Sequence, residues 1–188
     1  MKKIPTVFER DWDGDRSRVI DKVHPGCEWV LAGEGVATRK YDGTSCMVSG
    51  GILFKRREIK AEQVAEKGFP SGWIEADHDI ETDKYVGWVP VGEGPEDRAH
   101  REALPPAVGA TLPDGTYELL GPKVQGNPEK YGNHWLLAHR EAERFEDAPR
   151  TFAELRAWLE PRDIEGVVWH HPDGRMAKLK KRDFGFKR

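Results

Sequence analysis

The segment Arg39-Lys40-Tyr41-Asp42-Gly43-Thr44-Ser45 places a lysine two residues before an aspartate and three before a glycine. A lysine amine attacks phosphorus only when it is neutral. An ordinary lysine, with a pKa of about 10.4, is almost wholly protonated near pH 7. The pattern Lys-X-Asp-Gly arises by chance in about one chain in twenty-five of this length. Other elements must therefore agree with it before Lys40 is read as a nucleophile rather than a surface charge beside a turn.

Three further stretches set charges among apolar residues. In Thr116–Gly121 (TYELLG), Glu118 is expected on the strand face opposite Tyr117 and Leu119. In Ile164–His170 (IEGVVWH), Glu165 precedes a glycine that lets another backbone or a ligand come close. A carboxylate in such a place is costly unless a ligand or a cation meets it. In Met176–Lys180 (MAKLK), Lys178 and Lys180 fall on one face of a strand while Ala177 and Leu179 fall on the other. Neighbouring cations disfavour a further positive charge, which gives a nucleophilic Lys40 a reason to lie near that strand.

The elements that must position these residues are mostly short strands. Gly and Pro number 20 and 13, and strands are predicted over 34–40, 44–49, 51–56, 86–91, 115–121, 134–139, 165–170 and 175–180. The clearest helix runs from Thr151 to Glu160, with Thr151 and Glu154 as a capping box, Phe152, Leu155 and Leu159 on one face, and Pro161 as a stop. A second covers Glu96 to Leu104 before Pro105-Pro106, and a short third covers 60–67. Strands outnumber helices with little strand-helix-strand alternation, so the fold class is α+β with largely antiparallel sheets flanked by helices. Neither GxGxxG nor GxxxxGK[ST] is present, against a doubly wound nucleotide fold.

Bulk properties narrow the function. At 188 residues the chain suits a single domain spanning 1–188. Seven Trp within 37% hydrophobic residues exclude a disordered tail. No apolar run approaches a membrane span, and MKKIPTVFERDW has no apolar core of a signal peptide, so the cytoplasm is the default location. Cys27 and Cys46 lack metal-ligand spacing and read as free packing thiols. His134, His139, His170 and His171 flank strands without metal spacing and read as structural or as contacts to a bound partner rather than as metal ligands. The net charge of −3 gives no overall basic footprint for duplex binding. Basic residues nevertheless cluster at Lys55-Arg56-Arg57 and in KLKKRDFGFKR, and acids at Glu75–Glu81 and Glu93–Asp97, which suits a phosphate-rich ligand held at one face.

Taken in order, Lys40-X-Asp42-Gly43, the Glu118 strand, Glu165-Gly166-Val167-Val168 and Lys178-Leu179-Lys180 form the pattern of the covalent nucleotidyltransferases, the ATP-dependent DNA and RNA ligases and mRNA capping enzymes. Gly87-Trp88-Val89-Pro90-Val91, Gly126-Asn127-Pro128, Asp173-Gly174 and Phe184-Gly185 are similar to those of a family of small 5′-to-3′ RNA ligases. The resemblance runs from about Lys40 to the C-terminus and is weakest between Ile59 and Val86. It implies a nucleotidyltransferase (adenylation) domain. The chain ends eight residues after Lys180, so no OB-fold domain is expected.

The same resemblance implies the chemistry. Lys40 matches the adenylated lysine, Glu118 the acid of the third motif, Glu165 that of the fourth, and Lys178 and Lys180 the basic pair of the fifth. Arg56 or Arg57 fits the arginine that follows the first motif, and Asp42 and Gly43 complete the nucleotide contacts. Ser45 stands where many DNA ligases have an arginine. The implied cofactors are ATP and Mg2+ or Mn2+, with Glu165 and either Asp42 or Glu118 holding the metal through its waters. The implied partner is RNA with 5′-phosphate and 3′-hydroxyl ends, sealed through lysyl-AMP and adenylated RNA, with RNA repair as a natural role. The alternatives are an RNA 5′-end adenylyl- or guanylyltransferase that does not seal, or a non-catalytic binder of 5′-phosphorylated ends. Trp135 and Phe145 both lie where an adenine-stacking aromatic is expected, and Arg182, Lys187, Arg188 and Lys55–Arg57 are candidates for RNA backbone contacts.

Overall fold

The computed structural model describes residues 3–80, 82–105 and 112–188; Glu81, from the predicted acidic run, and Pro106, from the predicted helix stop, lie outside them. The strands are β1 (Phe8–Arg10), β2 (Val19–Val23), β3 (Val36–Lys40), β4 (Thr44–Ser49), β5 (Ile52–Lys60), β6 (Ile74–Asp79), β7 (Lys84–Pro90), β8 (Gly115–Leu120), β9 (Trp135–Ala138), β10 (Gly166–His170) and β11 (Met176–Lys180). The helices are α1 (Glu28–Leu31), α2 (Ala61–Lys67), α3 (Arg98–Glu102) and α4 (Phe152–Leu159). The strands pair antiparallel and outnumber the helices, as the α+β reading expects. None of the described helices is long and apolar enough to cross a membrane.

Two compact units divide the chain. One comprises Ile4–Tyr41 with Ala142–Arg188. Its three-stranded sheet has the order β11-β10-β3. Alternation sorts the side chains. Ala37, Val167, Trp169, Ala177 and Leu179 are buried on one face together with Leu155 and Leu159 of α4, each leucine contributing about 1.5–3 kcal/mol by burial. The Thr151 hydroxyl caps α4, accepting from the Glu154 N–H at 3.4 Å and donating to the Glu154 carboxylate at 2.7 Å. Phe152 closes the core edge-on to Phe8 and Phe184, with centroids 5.0 and 5.1 Å away. Both sheet margins are covered. The Lys178 backbone bonds to Pro5 and Val7, and Ala37 and Arg39 bond to Phe145 and Glu143.

The other unit comprises Asp42–Glu141 and holds a six-stranded sheet of order β6-β7-β5-β4-β8-β9. Cys46, Val48, Leu53, Tyr117, Leu119, Leu136 and Ala138 form its core, with Ala99 of α3 packed against them. All eight predicted strands form, while β1, β2, β6 and α1 go beyond the sequence reading. β6 is the instructive omission. Its sequence IEADHD lacks the apolar alternation of a core strand, because it is a sheet edge where charge is tolerated, and a bulge interrupts it between Glu75 and Asp77.

Candidate functional site

In the unit containing Lys40, Gly166 is the register point. It lies directly across from Lys40 on β3 and from Lys180 on β11, and the next row on the same face holds Thr38, Val168 and Lys178. A Cβ on Gly166 would come within 2.1 Å of the Leu179 carbonyl oxygen, so glycine is what allows the strands to approach so closely. Glu165, immediately before β10, reaches both flanking lysines. Its Oε2 accepts from Lys40 Nζ and its Oε1 from Lys180 Nζ at 2.6 Å. Lys40 Nζ also donates to the Tyr41 carbonyl at 3.4 Å.

The backbone beneath is fixed by short bonds. The Glu165 carbonyl accepts from the Lys181 N–H at 2.8 Å, and the Lys180 N–H donates to Asp183 at 2.8 Å, whose other oxygen is salt-bridged to Arg10 at 2.9 Å. The third lysine of the run, Lys181, turns inward and donates to the Arg162 carbonyl at 2.8 Å. The lysines of MAKLKK thus divide by alternation, with Lys178 and Lys180 on the site face and Lys181 in the interior.

In the other unit, Ser45 pairs across the strands with Glu118. The Cys46–Lys55 pairing places Arg56, rather than the exposed Arg57, on this face. Gly43 brings the main chain against Glu118: a Cβ there would lie 2.3 Å from the Leu119 carbonyl oxygen and 2.8 Å from Glu118 Cγ. The half-buried Glu118 carboxylate accepts from His139 Nε2 at 3.0 Å, and His139 Nδ1 meets the Thr116 hydroxyl at 2.9 Å. Neither Thr116 nor His139 is singled out as a site residue by sequence reasoning; the usable signal is the period of two that puts Thr116 and Glu118 on one face. Ser45 Oγ and Arg56 Nε are buried without a hydrogen-bond partner. Beneath them Cys46 is a buried free thiol whose pKa is pushed far up, first by burial and then by the Glu118 charge.

Two other groups of predicted contacts are engaged elsewhere. Lys55, expected among residues reaching an RNA backbone, is bound to the buried Asp97 at 2.5 Å. Arg188 is held by Asp163 at 3.1 Å. Of the two aromatics, Phe145 packs edge-on against Trp158 at 5.1 Å and on the core, whereas Trp135 is 55% exposed. Among the described residues, no three or more His, Cys, Asp or Glu side chains group as a metal cage. Single carboxylates such as Glu165 do fit a magnesium ion that keeps its waters and completes its shell with substrate phosphates.

Comparison with known proteins bears on these residues unevenly. Residues 97–188 match a family model described as RNA ligase 1. That segment includes Glu118, Glu165, Lys178 and Lys180, while Lys40, Asp42, Gly43, Arg56 and Arg57 precede it. RNA ligase 1 of Danio rerio is 30% identical over 143 residues, covering 65% of this chain and 42% of that protein. RNA ligase 1 of Rattus norvegicus and of Mus musculus are each 25% identical over 218 residues, covering 80% of this chain and 67% of the relative. The chain therefore spans less than half of the Danio protein. These matches show similarity to RNA ligase 1 proteins over part of the chain, in keeping with the order of the motifs.

Proposed function

We propose that this chain acts as an ATP-dependent RNA ligase, in which Lys40 carries AMP and passes it to an RNA 5′-phosphate before a 3′-hydroxyl seals the strand. The carrying observation is the Glu165 carboxylate gripped by Lys40 and Lys180 across Gly166, with Lys178 on the same face. Two lysines on one carboxylate leave positive charge in excess. That excess suits a polyphosphate rather than a purely structural ion pair.

In the first step Lys40 gives its proton to the Glu165 oxygen that already accepts its hydrogen bond. The neutral amine then attacks the α-phosphorus, a P–N bond forms, the bond to the bridging oxygen breaks, and pyrophosphate leaves as the nitrogen gives up its second proton to solvent. Lys178 and Lys180 stay protonated to meet charge gathering on the phosphoryl oxygens. In the second step a 5′-phosphate oxygen of RNA displaces Lys40, which recovers a proton. In the third, the 3′-hydroxyl attacks the RNA 5′-phosphorus and loses its proton to solvent, the phosphoanhydride bond breaks, and AMP departs. Magnesium or manganese, held at Glu165 through water, would neutralise phosphate charge. Asp42, Gly43, Arg56, Arg57 and Glu118 are assigned to nucleotide contacts by the resemblance. The buried, unpartnered Ser45 Oγ and Arg56 Nε suit a polar ligand on that face.

Incubation with α-labelled ATP and magnesium or manganese, followed by denaturing electrophoresis, tests this reading. Label is expected on the wild type and on neither Lys40→Ala nor Glu165→Ala. An unlabelled wild type, or label surviving Lys40→Ala, sinks the mechanism. With 5′-phosphorylated single-stranded RNA, circular product supports ligation, whereas accumulation of adenylated RNA alone supports a transferase that does not seal. Label from GTP in preference to ATP overturns the choice of cofactor.

A further inference from the structure

We infer that His139, braced by Thr116, is a positioning residue that sets the orientation of Glu118 toward the nucleotide; the inference rests on the assignment of Glu118 as a nucleotide contact. The geometry is a chain of three side chains on one sheet face. An ionised carboxylate can only accept, so His139 Nε2 carries the hydrogen that bridges to Glu118 Oε2 at 3.0 Å. In the neutral ring Nδ1 is then the acceptor, and it takes the Thr116 hydroxyl at 2.9 Å. The Glu118 carboxylate therefore selects the tautomer, and the Thr116 hydroxyl braces the ring by donating to Nδ1.

The carboxylate is confined from a second side as well. The Gly43 backbone packs against Glu118 Cγ so closely that a Cβ would stand 2.8 Å away. With Oε2 engaged and Cγ confined, no hydrogen bond among the described residues reaches Oε1, which is left as the oxygen offered to a ligand. Ser45, directly across the strand pair, adds a hydroxyl with no internal partner. A carboxylate that swings freely would bind the same ligand with an ordering cost, and His139 removes that cost before binding.

The test is the ATP dependence of Lys40 adenylylation, measured with the thermal midpoint for each variant. His139→Phe is expected to raise KM for ATP about tenfold with kcat within about twofold, as for a lost hydrogen bond to a charged group that acts equally in ground and transition states. Thr116→Val should raise KM about threefold. His139→Gln can donate to Glu118 while accepting from Thr116, and should restore KM to within about twofold of wild type. An unchanged KM in His139→Phe overturns the inference. So does a Gln variant that fails together with the Phe variant while the midpoint falls, because that is the signature of a purely structural role. A wild type that forms no adduct overturns the functional reading instead, so the two failures are told apart.

Discussion

Lys55 with Asp97 and Lys40 with Glu165 are both close lysine–carboxylate contacts, yet their surroundings differ in kind. Asp97 is 2% exposed, meets one lysine at 2.5 Å, and accepts the Gly92 N–H at 2.8 Å on its other oxygen. Charge is balanced there, with the buried His100 ring 3.9 Å away and making no hydrogen bond through either nitrogen among the described residues. Glu165 instead divides its two oxygens between two lysines, with a third on the same face. A balanced buried pair holds structure together, whereas an unbalanced, partly exposed one keeps charge available for a ligand. The identity of the residues does not distinguish the two; the count of cations per carboxylate does.

The largest expected effect comes from breaking the balanced pair. Asp97→Ala leaves the half-buried Lys55 unpaired and should cost about 3 kcal/mol in urea unfolding, while Lys55→Met with Asp97→Leu should recover most of it. At the unbalanced pair, Lys180→Ala should slow adduct formation about 100-fold, with a thermal midpoint within about 2 °C of wild type. A Lys180→Ala protein as unstable as Asp97→Ala would erase the distinction between the two sites.

Acid should act on the Asp97 cluster in two steps. Burial pushes the His100 ring below the usual histidine range against the pull of Asp97, with Lys55 and His134 adding to the lowering. The unfolded chain therefore takes up this proton first, so stability falls as pH drops below about 6.5 toward the folded value. Burial pushes the Asp97 carboxyl up, but Lys55, the Gly92 N–H and His100 together hold it below its ordinary range. Its contribution is complete above about pH 4 and is lost as pH falls through the folded value. Urea midpoints against pH should show both windows, and His100→Leu should remove only the upper one. The smallest effect is a calibration in the unit that carries Lys40: Thr151→Ala should cost about 1 kcal/mol through the lost cap, without changing adduct formation.

Legibility in the sequence follows the range of the interaction. Period-two alternation displays Lys178 and Lys180 on one face, and the capped, apolar-striped α4 is readable because its signals lie within a few residues. Lys55 reads as part of a solvated basic run because its partner is 42 residues away, and nothing local marks Asp97 as buried. Glu165 reads as a lone strand acid, and its double engagement depends on two strands brought in from either side. His139 looks like any strand-flanking histidine until Thr116 and Glu118 are placed beneath it.

Because Lys40 and Lys180 come from different strands and meet across Gly166, a slip of one residue in either pairing would send a lysine to the opposite face. The lysine–carboxylate cluster is thus a checksum on β pairing. Molecules assembled one residue out of register would be silent rather than weakened. In a refolding experiment, the fraction of chains able to take label at saturating ATP would count the correctly registered population directly, even where circular dichroism reports full strand content for all of them.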